Sequence, residues 1–321
     1  MAHNLAMNGG TANIAYYGEV PWHKLGLPLN KPATAAEMIV AAQLNWEVEH
    51  RLVMGSSNNR YELIRKARPG HDEVDVQLGR CTRSYNVLQN DVAFNFLDGL
   101  ATSGQVEFHT AGALGDGEVI WALVKLPNSI VVKGNDIVDK YLLLSNSHNG
   151  SESVTIKFTP IRVVCNNTLN AAMRDGNTAI RLKHTASLQS RLADVPDLLG
   201  ISHDVFSYME ELYTKMANTQ MTGSSVRDYM NRLIPLTPGQ QQKRITDGLY
   251  PARWAAILDE FEKHDIPETK GTMWALYQAF THYIDYAKSG RSGADDSARL
   301  KRVWCGAGAE LKLDALQLAM V

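Results

Sequence analysis

From Trp46 onward, apolar and polar residues alternate with a period of two: Trp46, Val48, His50 and Leu52 interleave with Glu47, Glu49 and Arg51. Successive side chains of a strand point to opposite faces, so this run predicts a strand, and Tyr61-Glu-Leu-Ile-Arg predicts its returning partner. Arg80-Cys-Thr-Arg-Ser-Tyr predicts a further strand. Two more hairpins follow. Val106-Glu-Phe-His-Thr-Ala pairs with Val119-Ile-Trp-Ala-Leu-Val across Gly115-Asp116-Gly117, and Tyr141-Leu-Leu-Leu-Ser pairs with Val154-Thr-Ile-Lys-Phe-Thr across a turn containing Asn149-Gly150. In the last strand Val154, Ile156 and Phe158 share one face, and Thr155, Lys157 and Thr159 the other.

Helical spacing interrupts these strands. Thr34 is placed to cap a short helix over 35–44, and Asn90 to cap one over 91–101, with Asp91 in the first turn where the helix dipole favours negative charge. After Pro160 the stretch Val163 to Met173 turns helical. Past about residue 184 strand signals end, and helices are predicted over 185–195, 197–218, 223–234, 251–263, 270–288 and 307–320. Met209 and Tyr213, Trp274 and Tyr277, with Phe206, Trp254 and Tyr283, fall at core positions of these helices. Residues 1–31, rich in Gly, Asn and Pro, read as an irregular arm anchored by Tyr16, Tyr17, Pro21, Trp22 and His23. The order predicts an α+β fold: an antiparallel hairpin sheet packed by helices in the N-terminal half and an all-helical C-terminal half. The implied domains are 1–183, α+β with an extended N-terminal arm, and 184–321, helical.

Composition adds few constraints. The 321 residues are 45% hydrophobic and 21% charged, enough for a full core without disulfides or metals. Cys81, Cys165 and Cys305 are odd in number and far apart, which fits a reducing compartment. No basic stretch followed by an apolar one opens the chain, and no apolar run reaches membrane-spanning length, so a cytoplasmic location away from membranes is expected.

Enzyme signatures are absent. There is no phosphate-cradling G-x-x-x-x-G-K-[ST], no H-E-x-x-H, no zinc-spaced Cys pair and no Gly-x-Ser-x-Gly, so no catalytic residue, metal site or cofactor is expected. The glycines at 112, 115 and 117 precede a strand, which leaves no helix N-terminus for a phosphate. Glu107, Asp116, Glu118 and Glu152 are the remaining catalytic candidates and read as a solvated strand face.

Charge placement is more informative. The formal net charge is -2, yet between Lys140 and Arg191 seven basic residues face two acidic ones, a local net of +5 against -7 elsewhere. Lys157, Arg162, Arg174, Arg181 and Lys183 are candidate phosphate contacts. Asn166, Asn167 and Thr168 add short hydrogen-bonding side chains, and a helix opened by Asn166 or Asn167 would present free N–H groups. A solvated face with a few ion pairs is the alternative for the same residues.

Five motifs resemble a known family: Ala15-Tyr16-Tyr17-Gly18-Glu19-Val20-Pro21-Trp22-His23 with Leu25-Gly26; Tyr85-Asn-Val-Leu-Gln-Asn; Thr110-Ala-Gly with Gly117 and Trp121; Ser147-His-Asn-Gly-Ser; and Thr159-Pro-Ile-Arg-Val-Val-Cys-Asn-Asn-Thr-Leu. Together the chain resembles the phage/plasmid-like family of unknown function carried by phages, prophages and conjugative plasmids. The hairpins packed by a helix are also similar to the core of single-strand annealing proteins of the RecT, Red-beta and Rad-fifty-two type. That resemblance implies an oligomeric ring or filament that holds a single DNA strand in a basic groove and acts in recombination or replication without a cofactor. Trp22, Tyr85 or His148 would then stack on bases. Two other readings stand beside it: an anti-defence or structural factor that binds a host or phage protein, and a metal-dependent nuclease.

Overall fold

A computed structural model of the chain describes residues 5–18, 20, 24–53, 60–68, 74–102, 106–159, 179–195, 202–248, 250–284 and 307–320. The strands are β1 (Met7–Asn8), β2 (Thr11–Ala12), β3 (Ile14–Tyr17), β4 (Leu27–Leu29), β5 (Val48–Leu52), β6 (Tyr61–Arg65), β7 (Val76–Cys81), β8 (Glu107–Leu114), β9 (Val119–Lys125), β10 (Ile130–Lys133), β11 (Asp136–Val138), β12 (Tyr141–Ser147), β13 (Val154–Thr159) and β14 (Ala179–Leu182). The helices are α1 (Ala35–Ala41), α2 (Asn90–Thr102), α3 (Leu188–Ala193), α4 (Ser202–Asn218), α5 (Gly223–Leu233), α6 (Pro238–Asp247), α7 (Ala252–Glu262), α8 (Met273–His282) and α9 (Ala307–Ala319).

Seven strands form one sheet in the order β14-β13-β12-β9-β8-β3-β4, and β5-β6-β7 form a second, antiparallel one. In the large sheet β3 and β4 run parallel, with Ala15 opposite Leu27, while the other neighbours are antiparallel. One face of the large sheet buries Phe108, Ala122, Val124, Leu142, Leu144 and Ile156 in the main core. Phe94 of α2 stacks on Phe108 at 5.9 Å, and α1 packs on both α2 and β8.

The hairpins fall where alternation and turn residues place them, β8 with β9 and β12 with β13. Thr34 caps α1 in a reciprocal box: its Oγ1 accepts from the Glu37 N–H at 3.3 Å while its own N–H donates to Glu37 Oε2 at 2.9 Å. Met209, Tyr213, Trp254, Trp274, Tyr277 and Tyr283 are buried as expected. The expected helix over 163–173 lies outside the described residues.

The expected arrangement of a hairpin sheet followed by an all-helical half is overturned on both counts. The large sheet is mixed, and the segment read as an irregular arm contributes β3 and β4 to it. Burial drives this: Ile14, Ala15 and Tyr16 retain 4%, 0% and 7% of their exposure. Gly26, at φ +110°, lets β4 close on β3, because a Cβ there would stand 2.7 Å from Ile14 Cγ2 and 2.9 Å from its carbonyl oxygen. In the C-terminal half, Gln220 and Thr272 form an antiparallel bridge, flanked by Met221 N–H donating to Gly271 O and Met273 N–H to Thr219 O. Its helices also close on the β-structure: α4 packs on β10. Asp136 of β11, 7% exposed, accepts from Trp274 Nε1 at 2.8 Å and Thr269 Oγ1 at 3.1 Å. A buried carboxylate without donors is costly, and the helical half supplies them.

Candidate functional site

The candidate phosphate contacts separate into three groups. Arg162, Asn166, Asn167, Thr168 and Arg174, with the candidate stacker Trp22, lie outside the described residues. Lys157 on β13 is 0% exposed and already has an interaction partner, so its ammonium is held inside the protein rather than presented to a polyanion. Arg181 on β14 and Lys183 just beyond it are exposed.

Register shows what surrounds them. Residues directly opposite in an antiparallel ladder project to the same face. Trp121 of β9 pairs with Ser145 of β12, Ser145 with Thr155 of β13, and Thr155 with Arg181 of β14. Four neighbouring strands thus carry one row, indole–hydroxyl–hydroxyl–guanidinium, about 14 Å long at the usual strand spacing of about 4.8 Å. Trp121, Ser145 and Thr155 are partly exposed and Arg181 is exposed. The adjoining positions on this face, Leu123, Tyr141 and Leu143, form a small buried cluster against which Trp121 packs.

Further cations gather at the same edge of the sheet. The Asn86 N–H donates to His184 O at 3.0 Å, and His184 Nδ1 lies 2.9 Å from Asn86 O. These two bonds tie the turn that carries Arg83 to the segment that carries Lys183. Arg191 is exposed on α3, the helix that packs on β14. Among the described residues Arg83, Arg181, Lys183 and Arg191 make no ion pair, whereas Arg80 lies 3.7 Å from Glu62. β14 pairs only with β13 among the described strands, so its outer edge is the margin of the sheet.

Two of the three candidate stackers are structural or lie outside the description, and the third is half-committed. Tyr85 is half-buried: one ring face lies against His184 at 4.3 Å, and its hydroxyl donates to Ser147 O at 2.8 Å. His148 is 0% exposed. Asn90 Nδ2 donates to Leu44 O at 2.8 Å, so its Oδ1 faces His148 Nε2 at 2.8 Å and must accept from it; the proton therefore sits on Nε2. The side chain expected to cap α2 is thus spent on His148 and on the loop before β5. Asn146 Nδ2 donates to Leu88 O at 3.0 Å, and the Trp46 ring stands edge-on to His148 at 5.3 Å. Gln89 closes the margin of β5 like an added strand, its Oε1 accepting from Val48 N–H at 2.9 Å and its Nε2 donating to Val48 O at 2.8 Å. The motifs around Tyr85 and Ser147 therefore meet in the interior, where they bind the small sheet, α2 and the large sheet together.

Burial fixes the protonation of this cluster. It pushes His148 down to about 3, with His184 nearby adding to the shift. Burial also lowers His184, partly opposed by the Asn86 carbonyl, and raises Tyr85. On the sheet face that carries Tyr141, a bulge in β8 turns His109 against the Tyr141 ring at 5.3 Å, and burial with Lys125 nearby pushes it down to about 4. Among the described residues no group of three or more His, Cys, Asp or Glu side chains is placed to hold a metal ion, and no helix is long and apolar enough to cross a membrane.

Sequence reasoning missed Trp121 as a surface residue, and Ser145 and Arg83 altogether. Trp121 carried a signal, since it stands opposite Gly112 across a hairpin whose turn was legible.

Neither the curated proteins nor the solved structures include a match to this chain. One family model does match, over residues 77–304, which takes in the β7-to-β14 region, the cationic edge and most of the helical half. The chain belongs to that family, the domain of unknown function DUF932.

Proposed function

We propose that the chain is a single-stranded DNA-binding protein of a phage or plasmid that promotes annealing in recombination or replication, working in the cytoplasm as a ring or filament of identical subunits. One observation carries the reading: Arg181 continues a row of hydroxyls on a sheet face next to the Arg83 turn, Lys183 follows it just beyond β14, and both are exposed and without an acidic partner among the described residues. Cations without internal partners lose little on meeting phosphate, and hydroxyls beside them suit phosphate and sugar oxygens. The net charge of -2 confines attraction to this edge. No nucleotide cofactor enters, because base pairing drives annealing and the protein lowers the repulsion between strands.

The test is the salt dependence of oligonucleotide binding. Each cation that neutralises a phosphate contributes about 0.7 to the slope of log K against log salt for a single strand. The Arg181→Ala/Lys183→Ala pair should weaken binding at low salt and flatten that slope by about 1.4. Unchanged affinity and slope would remove the proposal.

A specific feature favours a protein partner as the second reading. Val131 and Ile137 pair directly across the β10–β11 hairpin and are 52% and 51% exposed. Co-purification of a stoichiometric protein, lost with Val131→Ser and Ile137→Ser, in a chain without DNA affinity would select it.

A further inference from the structure

We infer that Asn149 is a self-modification site: the backbone nitrogen of Gly150 attacks its side-chain amide, and the turn around it speeds the conversion to aspartate and isoaspartate. The inference goes beyond the DNA-binding reading and stands or falls without it.

Three donors converge on one atom. Asn149 Oδ1 accepts from Ser147 Oγ at 2.6 Å, from the Ser151 N–H at 2.9 Å and from Ser151 Oγ at 2.5 Å. A backbone N–H can only donate, so the atom it faces is the amide oxygen, and Nδ2 is the group left over. Ser147 is 2% exposed, so its hydroxyl is held in place. When a nitrogen adds to Cγ, negative charge develops on Oδ1, and donors already aimed there stabilise it as in an oxyanion hole. The Ser151 N–H bond also closes a ring that contains both Cγ and the Gly150 nitrogen, which keeps the two reacting atoms together.

The attacking nitrogen is uncommitted. Among the described residues the Gly150 N–H donates to no acceptor, Gly150 is exposed, and Asn149 is half-buried. Gly150 sits at φ +77°, where glycine is favoured, so the turn itself demands the residue that crowds its nitrogen least. The Gly150 N–H gives its proton to solvent base as the N–Cγ bond forms. The Cγ–Nδ2 bond then breaks, Nδ2 takes a proton and leaves as ammonia, and a cyclic imide remains. Water opens the imide at either carbonyl. One opening gives aspartate; the other gives isoaspartate, with the main chain rerouted through Cβ and Cγ.

The product lies in a crowded junction. At Gly79 a Cβ would stand 2.3 Å from Asn149 O, and at Gly150 one would stand 2.8 Å from Arg80 O, so β7 and this turn lie backbone against backbone. The extra main-chain carbon of isoaspartate has no room there and displaces β7 from the turn.

Asn8-Gly9 supplies an internal control. It is the same dipeptide at the β1–β2 turn, where among the described residues the Asn8 side chain makes no hydrogen bond. The full chain is aged in heavy-oxygen water, and the asparagine-to-aspartate mass shift is located by fragmenting the peptides that carry each site. In the folded protein Asn149 should react faster than Asn8, and in urea the difference should vanish because only local sequence remains. Asn146, fully buried with its Nδ2 donating to Leu88 O, should stay unmodified in the same peptide as Asn149. Ser147→Ala should slow Asn149 about 2- to 10-fold, the worth of one hydrogen bond, and leave Asn8 unchanged. Ser151→Ala removes the other hydroxyl from an exposed position and should act alike, so the test survives if Ser147→Ala fails to fold. The isoaspartate fraction should melt at a lower temperature than the unmodified chain. An Asn149 no faster than Asn8 in the folded protein overturns the inference, as does a difference that persists in urea. Serine variants that leave the Asn149 rate unchanged or raise it overturn it too, because the hydrogen bonds would then protect the amide rather than activate it.

Discussion

His148 offers a direct test of how the two sheets are joined. It is fully buried, its Nε2–H is committed to Asn90 Oδ1, and burial pushes it down to about 3 from the usual 6.5. The folded protein therefore refuses a proton that the unfolded chain accepts. The histidine's contribution is complete above about pH 6.5 and is lost as the pH falls toward the folded value. Between about pH 7.5 and 5 the loss from His148 is about 2 kcal/mol, with a limiting slope of about 1.4 kcal/mol per pH unit. His109, pushed down to about 4 by burial, loses stability in the same direction and over the same window. The carboxylates held low by hydrogen bonds and cations, Glu37, Glu49 and Asp75, act in the same sense but only below the ordinary carboxylate values of 4.5 and 3.8. The interval from about pH 5 to 6.5 thus belongs to the histidines.

The assay is urea unfolding at several pH values across that interval, followed by circular dichroism. Wild-type stability should fall on acidification, and His148→Gln should reduce the fall by close to one proton while lowering stability at neutral pH. A wild-type stability constant within about 0.5 kcal/mol over the interval would refute the buried, neutral imidazole. So would a glutamine variant whose pH slope matches wild type.

Two further substitutions probe the same architecture. Trp274→Phe removes the Nε1–H that donates to the buried Asp136, and should cost about 1.5–3 kcal/mol in urea unfolding because a hydrogen bond to a charged group is lost; a change below about 0.5 kcal/mol would mean that the hairpin does not depend on this donor. Gly79→Ala would bring a Cβ to 2.6 Å from Asn149 Cα and against its carbonyl oxygen, forcing β7 from the β12–β13 turn. A lowered melting temperature worth about 1–3 kcal/mol is expected, whereas Gly239→Ala, which meets nothing within 4 Å in α6, should be neutral or stabilising; equal effects would dismiss the close approach.

What the sequence disclosed and withheld follows from the range of each interaction. The β8–β9 and β12–β13 hairpins were legible because alternation and the Gly115–Gly117 and Asn149-Gly150 turns are local signals. Thr34 was legible for the same reason, since its partner Glu37 lies three residues on. The β3–β4 pair was not: two short strands with no sustained alternation are defined only by β8 and by Gly26 packing on Ile14. Alternation placed Thr155 and Lys157 on one face correctly, yet it carries no information on whether that face is covered. Around Leu123, Tyr141 and Leu143 it is, and Lys157 is buried with them, while Thr155, one step nearer the β12–β13 turn, stays partly exposed. Asn90 read as a helix cap and His148 as a candidate base-stacking ring, because polar side chains usually sit at the surface; their bond spans 58 positions, beyond any periodicity.

The candidate row shows most sharply where local reading stops. Two pairings around it lie inside hairpins: Gly112 faces Trp121, the end of the row, across the first turn, and Ser145 faces Thr155 across the second. Either could have been counted outward from its turn residues. The link that joins the halves, Trp121 to Ser145, depends on β9 and β12 being neighbours, although the chain between them leaves to build the β10–β11 ribbon against α4. The burial of Ala122 and Val124 against Leu142 and Leu144 in the main core holds that pairing in register. A slip of one residue would turn both apolar sets outward, so the register is fixed by these buried side chains rather than by any residue in the row. The exposed residues are therefore passengers of the core beneath them. Their proximity is dictated by side chains on the opposite face: the core, and not Trp121, Ser145, Thr155 or Arg181, holds the pairing that assembles the row.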